Sequence, residues 1–250
     1  MKSDWAVRPE RYFAYLRKKL GITQDQMKVP QRLVLVFSDE DLRSIRRLFL
    51  AKPHLWNRWL YVGRAGRHNV AVLRSMIGAP ATAIALEEMI ALGATHIMTF
   101  GACGSLLPRY PIGSVLIPLR AYSDEGTSRH YDGARWAKPD PSLVRRVREA
   151  CLNRSLSFGE GGVWTTDAPY RESFTKARSL ARRGVVSVDM EASAVYAVAR
   201  ERKIHAASLF VVSDELGGAE WNAGFQDAAF RRSKRRAYQV IGDVMAGALP

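Results

Sequence analysis

A glutamate stands in strongly apolar surroundings in the second half of this chain. Glu191 lies in the run Val188–Ser193, directly after Met190, where an apolar strand-like segment becomes an alanine-rich helix-like one. An unpaired charge in such a setting would cost several kcal/mol, so Glu191 is expected to have a partner. Two interpretations are open: a carboxylate stabilised by the positive end of the following helix, or one whose partner comes from elsewhere.

Three other segments place chemically capable residues at the ends of apolar runs. The glycines of Gly101–Ser105 would let backbone N–H groups approach a ligand, typically an anion, or would make a simple tight turn. Trp164 could offer its ring face to another ring or pack in the core. Ser213 and Asp214 could act in a site or cap a helix. Because ligands bind at the carboxyl ends of strands in open α/β sheets, four such ends favour one shared site.

Hydrophobic periodicity divides the chain into alternating strands and helices. Predicted strands cover residues 33–37, 60–62, 70–73, 96–100, 113–118, 160–164, 185–189 and 206–212. Predicted helices cover residues 41–50, 81–92, 141–152, 174–182, 190–202 and 227–245. This alternation predicts an α/β fold with a largely parallel sheet. No linker or repeat interrupts it, so residues 1–250 are expected to form one domain, with residues 1–30 as a peripheral, polar leader.

Composition limits the classes of partner. Lys and Arg total 38 against 24 Asp and Glu, a formal charge of +14 that raises the question of nucleic acid or an anionic substrate. The basic residues are scattered over helix-like segments and no nucleic-acid motif accompanies them, which disfavours a nucleic-acid surface. One hypothesis that stays open is a catalytically silent protein that binds nucleotides or nucleic acid.

The cysteines and the hydropathy pattern predict a cytoplasmic protein. The chain has two isolated cysteines, Cys103 and Cys151, and no metal-ligand cluster, so neither a disulfide framework nor a metal site is expected. Its N-terminus lacks the apolar stretch of a signal peptide, and no apolar run is long enough to span a membrane.

Several of these motifs resemble the nucleoside phosphorylase superfamily, which includes bacterial-type purine nucleoside phosphorylases, uridine phosphorylases and related nucleosidases. The resemblance covers roughly residues 31–247. It rests on Gly101–Gly104, Asp124–Tyr131, Trp164–Tyr170, Val188–Ala192 and Ser213–Asp214, of which Met190-Glu191-Ala192 before the alanine-rich helix is the most specific. It implies a three-layer α/β/α sandwich around a mixed sheet, and a homo-oligomer, either trimer or hexamer.

The resemblance also implies roles for individual residues. Glu191 would accept hydrogen bonds from the ribose 2′- and 3′-hydroxyls, and its charge would stabilise the oxocarbenium-like sugar. Met190 would pack on the sugar, while Trp164 and the backbone of Val188 would line the base pocket. Asp214 would protonate N7 of a purine, so that the base leaves neutral. A purine is favoured over the alternative of a uridine-type phosphorylase, because the Gln/Arg pair of pyrimidine-specific relatives is not evident here.

The expected phosphate site departs from the family pattern. Thr99 stands where the family has an arginine, and Ala102 where it has a hydroxyl. The resemblance leaves Arg43, Gly101 and Ala102 as phosphate-binding positions, with Arg58 contributed by a neighbouring subunit. Two enzymes therefore stay open: a phosphorylase, with inorganic phosphate as co-substrate and no cofactor, or a nucleosidase that uses water.

Overall fold

A computed structural model describes residues 5–131 and 133–248 of the chain. The first four residues of the predicted leader, residue 132 and the last two residues of the predicted domain lie outside the described residues. The strands are β1 (Arg32–Val36), β2 (Lys52–Pro53), β3 (Leu60–Ala65), β4 (His68–Arg74), β5 (His96–Ser105), β6 (Val115–Asp124), β7 (Trp136–Ala137), β8 (Gly159–Thr166), β9 (Val185–Asp189), β10 (His205–Glu215) and β11 (Asn222–Ala223). The α-helices are α1 (Pro9–Leu20), α2 (Gln24–Met27), α3 (Asp39–Leu48), α4 (Ala79–Ala91), α5 (Pro141–Asn153), α6 (Phe174–Ala181), α7 (Ala192–Arg202) and α8 (Ala228–Ala246).

The strands form one mixed sheet in the order β11-β10-β6-β8-β9-β5-β1-β4-β3-β2, with β7 on β6. Strands β4, β1, β5 and β10 run parallel, as do β6, β8 and β9. Antiparallel pairing joins the two groups, through β10 with β6 and β5 with β9. Because β5 pairs with both β9 and β10, the strands β5, β10, β6, β8 and β9 close into a ring.

Helices cover both faces of the sheet, which confirms the three-layer α/β/α prediction. Helices α1, α4 and α7 pack over one apolar cluster, and α3, α5 and α8 pack over another. Strand β1 separates the two clusters, because it alternates Leu33 and Leu35 on one face with Val34 and Val36 on the other. No described helix has the length and apolar character needed to cross a membrane.

Most predicted elements are present, with bounds that differ by a few residues. The clearest difference is β5, which continues through Gly101–Ser105 where a turn was one of the interpretations. The two-residue strands β2, β7 and β11 were not predicted, because pairs this short carry no periodicity. The leader is also more than peripheral: Phe13 and Met27 are buried in the core beside α4.

Candidate active site

One row of paired residues crosses the sheet and includes a residue from each of the four predicted site segments. Gly104 of β5 pairs with Asp214 of β10 on one side and with Val188 of β9 on the other. Val188 in turn pairs with Trp164 of β8. The ring of strands therefore brings together residues that lie up to 110 positions apart in the chain, and the shared site predicted from their strand-end positions has a physical basis.

Gly104 is glycine because its neighbours leave no room for a side chain. A Cβ atom there would lie 2.7 Å from a Leu216 methyl carbon, 2.9 Å from Val188 Cγ1 and 3.1 Å from Asp214 Oδ2. Gly101 is also tight, since its Cβ would lie 3.1 Å from the ring of Phe37. These glycines permit close packing inside a strand, which is a different reason from the turn considered above.

Glu191 is a buried carboxylate, 8% exposed, at the beginning of α7. Its Oε1 atom accepts a hydrogen bond of 2.8 Å from the backbone N–H of Gly78, the N-cap residue of α4. Burial raises the pKa of Glu191 well above its ordinary value, and the nearby charge of Asp189 raises it further. No side-chain donor among the described residues binds Glu191, so the carboxylate retains acceptor capacity for a ligand.

Asp189 positions Glu191 by capping helix α7. Its Oδ2 atom accepts from the backbone N–H groups of Glu191 at 3.2 Å and Ala192 at 2.7 Å, and its Oδ1 atom accepts from the Thr165 hydroxyl at 2.7 Å. The Thr165 oxygen also accepts from the backbone N–H of Ser193. The first turn of α7 is therefore anchored to β8, and the direction of Glu191 is set by backbone contacts.

A second carboxylate nearby, which is half-buried, has the opposite character. Glu125 accepts hydrogen bonds from the hydroxyls of Ser123 at 2.7 Å and Ser193 at 2.9 Å, and from the backbone N–H groups of Thr127 and Ser128. Burial acts to raise the pKa of Glu125, but these hydrogen bonds outweigh it and the pKa is lowered. Glu125 is satisfied within the protein, and Glu191 is not.

Asp214 is partly exposed and faces two residues that the sequence interpretation missed. Its Oδ1 atom accepts from the Ser213 hydroxyl at 2.7 Å, and its Oδ2 atom accepts from the indole N–H of Trp221 at 2.9 Å. Burial, followed by the charge of Asp214, raises the pKa of Glu172 to about 7. Trp221 and Glu172 lie in loops that only the fold brings close to Asp214, and no sequence signal marked them.

Trp164 is more enclosed than its predicted base-stacking role requires. It is 1% exposed, its indole N–H donates to Asp124 Oδ2 at 2.9 Å, and the Lys176 ammonium lies 5.0 Å from its ring centroid. Val188 is buried beside it, while Met190 is partly exposed. The base-binding and sugar-binding roles of these residues stay predictions.

The predicted phosphate-binding residues form a less complete group. Gly101 and Ala102 lie together in β5, where Ala102 is exposed. Arg43 is exposed on α3, and Arg58 is exposed with its guanidinium 4.6 Å from the Trp59 ring centroid. The roles of all four stay predictions. The Thr99 hydroxyl faces inward and donates to Ser208 at 2.6 Å, so it offers nothing to an anion.

Comparison with known families agrees with this arrangement. The model of the phosphorylase superfamily matches residues 31–246, which include every strand described above. The chain belongs to the phosphorylase superfamily. The matched range agrees with the resemblance predicted over roughly residues 31–247.

Relatives within the phosphorylase superfamily include enzymes named for purine nucleosides. A guanosine phosphorylase from Halorubrum lacusprofundi is 26% identical over 175 residues, covering 69% of this chain and 73% of that protein. A DeoD-type purine nucleoside phosphorylase from Bacillus cereus is 29% identical over 161 residues, covering 62% and 68%.

Solved structures of the superfamily share the fold of this chain. A uridine phosphorylase from Vibrio fischeri superposes with a TM-score of 0.77 at 23% identity, covering 88% of this chain and 94% of that one. A purine nucleoside phosphorylase from Toxoplasma gondii, solved with immucillin-H, gives 0.78 at 20% identity, covering 88% and 92%.

Proposed function

We propose that this protein is a nucleoside phosphorylase, a pentosyltransferase that cleaves the N-glycosidic bond of a purine nucleoside with phosphate. Membership of the phosphorylase superfamily and the names of its relatives support this activity. The observation that carries it is Glu191: a buried carboxylate, hydrogen-bonded to backbone only, close to the row that contains Asp214. A carboxylate in this state is suited to accept hydrogen bonds from two neighbouring sugar hydroxyls.

In the proposed reaction, an oxygen of inorganic phosphate attacks C1′ of the ribose while the bond from C1′ to N9 of the base breaks. The electron pair of that bond goes to the base, and positive charge develops on the sugar. Glu191 holds the hydroxyls and stabilises this charge in a buried setting, where a carboxylate acts more strongly than in water. Met190 lies next to it and packs on the ribose.

Asp214 completes the proposed chemistry at the base. A proton on its carboxyl group passes to N7 as the bond to N9 breaks, so that the base leaves neutral and ribose 1-phosphate is the second product. Trp164 and Val188 line the base side of the pocket in this proposal. Purine is favoured over pyrimidine because Asp214 is suited to N7 and because the relatives named above act on purine nucleosides.

Hydrolysis is the second candidate, and one observation favours it. The hydroxyl of Thr99 is bound inside the protein and Ala102 carries none, so two polar contacts expected for phosphate are missing. With water as nucleophile, the same Glu191 and Asp214 would serve a nucleosidase.

Base release with and without phosphate tests the proposal. We expect purified protein to release base from inosine, guanosine or adenosine much faster with phosphate than without it, and more slowly from uridine. Equal release in both conditions would establish the hydrolase instead. Release from none of the four nucleosides would contradict both candidates. DNA or RNA binding at low salt would then favour a catalytically silent binder of nucleotides or nucleic acid.

The proposal also includes a cytoplasmic homo-oligomer. Exposed apolar side chains support the oligomer: Met76, Ile77 and Ile84 are 64%, 63% and 61% exposed, next to the Gly78 that binds Glu191. An apolar patch of this kind beside a site is typical of an interface.

A further inference from the structure

An ion pair lies at the carboxyl end of β4, beside the predicted phosphate positions. Arg74 pairs with Val36 of β1, and Val36 pairs with Phe100 of β5, so Arg74 lies one row before Gly101. Its Nε atom is 3.2 Å from Asp39 Oδ1. The Arg74 side chain is 18% exposed, whereas that of Asp39 is 52% exposed.

Trp59 holds the Arg74 guanidinium in place. The guanidinium carbon lies 4.3 Å from the Trp59 ring centroid, and the backbone N–H of Arg74 donates to the Trp59 carbonyl at 3.1 Å. Nε is buried and makes no hydrogen bond with the described residues, so Asp39 satisfies its charge but not its N–H group. A buried N–H group without an acceptor gains a hydrogen bond when an incoming oxygen takes the place of Asp39 Oδ1.

Arg74 is also connected to the proposed ribose carboxylate. The chain runs from Arg74 through Ser75, whose N–H donates to Val36, to Gly78, whose N–H donates to Glu191. Four residues span at most about 14 Å, so Arg74 and Glu191 flank one short segment.

Lys234, the neighbouring cation on the same side, already forms ion pairs within the protein. Lys234 is 5% exposed and lies 2.7 Å from Glu40 and 2.9 Å from Asp41, and Tyr238 donates to Asp41. These contacts bind two of the three acids that begin α3. Asp39 is the third acid, and its exposure leaves it free to turn into water.

We propose that Arg74 is a phosphate-binding cation of this protein, and that Asp39 is the counter-ion which phosphate displaces. This inference rests on the proposed function. Phosphate oxygens would bind the guanidinium by charge-assisted hydrogen bonds as Asp39 withdraws, so that Arg74 supplies the positive charge that Thr99 cannot.

Opposite changes at the two residues test the exchange. Arg74→Gln should raise the KM for phosphate about 10- to 100-fold, the scale of a charged hydrogen bond, with little change in the KM for nucleoside. Arg74→Lys should recover part of this loss. Asp39→Asn should lower the KM for phosphate about 2- to 5-fold, because the competing charge is gone. As control, Arg46→Gln removes a guanidinium stacked on Tyr61 and should change neither constant.

Calorimetric titration with inorganic phosphate measures the same exchange without turnover. Phosphate should bind the wild type, bind Arg74→Gln much more weakly, and bind Asp39→Asn more tightly. Unchanged phosphate affinity in a folded Arg74→Gln or Arg74→Lys variant would overturn the role of Arg74. Weaker phosphate binding by Asp39→Asn would overturn the counter-ion role. The phosphate affinity of Asp39→Asn can be measured even where Arg74→Gln fails to fold.

Failure of the proposed function gives a different result. If the wild type releases base equally without phosphate, the phosphorylase proposal fails, and the titration still decides the anion site. Phosphate binding that is lost in Arg74→Gln would then support the site, and absence of phosphate binding to the wild type would overturn it.

Discussion

Two glutamates beside the start of α7 show how residue type and function separate at the smallest scale: Glu191 is the N-cap residue, and Glu125 accepts from the Ser193 hydroxyl. Glu125 and Glu191 carry the same carboxyl group, but Glu125 is only half-buried and is surrounded by hydroxyl and N–H donors of the protein. Glu191 is bound by backbone alone. An under-satisfied buried carboxylate is costly to folding, and such a cost is typical of groups retained for a ligand.

Replacing Glu191 with Gln keeps the shape of the side chain but prevents it from carrying a charge in the transition state. We expect kcat for phosphorolysis to fall about 100-fold or more, because a transition-state electrostatic contact is lost. Steady-state kinetics on a variant with an unchanged circular dichroism spectrum measures the effect. A near-normal kcat would show that Glu191 is not the ribose carboxylate.

At the scale of elements, β5 pairs with both β10 and β9 at Gly104. This double pairing decides how closely Asp214 and Val188 approach each other. The glycine keeps three strands in register at a point where any side chain would push them apart. Helix α7 depends in a similar way on β8, since Thr165 binds both Asp189 and the backbone of Ser193. The pairing at Gly104 and the hydrogen bonds of Thr165 both join elements that are adjacent only in the folded sheet.

Gly104→Ala tests the importance of this double strand pairing at Gly104. The added Cβ would meet atoms at 2.7–3.1 Å, so we expect a loss of about 1–3 kcal/mol in the free energy of unfolding. We also expect kcat/KM to fall about 10- to 100-fold, because Asp214 moves from its place. Gly126→Ala is the matched control, since its Cβ would lie 3.8 Å from the nearest atom. Equal effects of the two substitutions would contradict a special role for the double strand pairing at Gly104.

At the scale of the whole molecule, the carboxyl groups of Glu191 and Glu125 link folding stability to pH. A carboxyl group whose pKa is raised by folding binds more protons in the folded state, so its contribution to stability falls as pH rises above the ordinary value of 4.5. A carboxyl group with a lowered pKa, such as Glu125, has the opposite effect and stabilises the fold at neutral pH.

Thermal unfolding of two variants checks both signs. Near pH 7, Glu191→Gln should be more stable than the wild type by about 1–2 kcal/mol, or roughly 2–6 °C in Tm. This gain should shrink toward zero as pH falls to about 4.5, where Glu191 becomes protonated also in the unfolded chain. Glu125→Gln should lower Tm at neutral pH. A loss of stability in Glu191→Gln at pH 7 would mean that its charge supports the fold.

The sequence by itself determined the alternation of elements, the four chemically marked strand ends and the family resemblance. These are local properties: periodicity shows in a few neighbouring residues, and Met190-Glu191-Ala192 is read without knowing its surroundings. Only the tertiary structure decided that Gly104, Asp214, Val188 and Trp164 share one row, because strand pairing joins residues far apart in the chain. It alone revealed Trp221 on Asp214, the inward Thr99 and the Arg74–Asp39 pair, since contact and burial depend on packing that no single segment encodes.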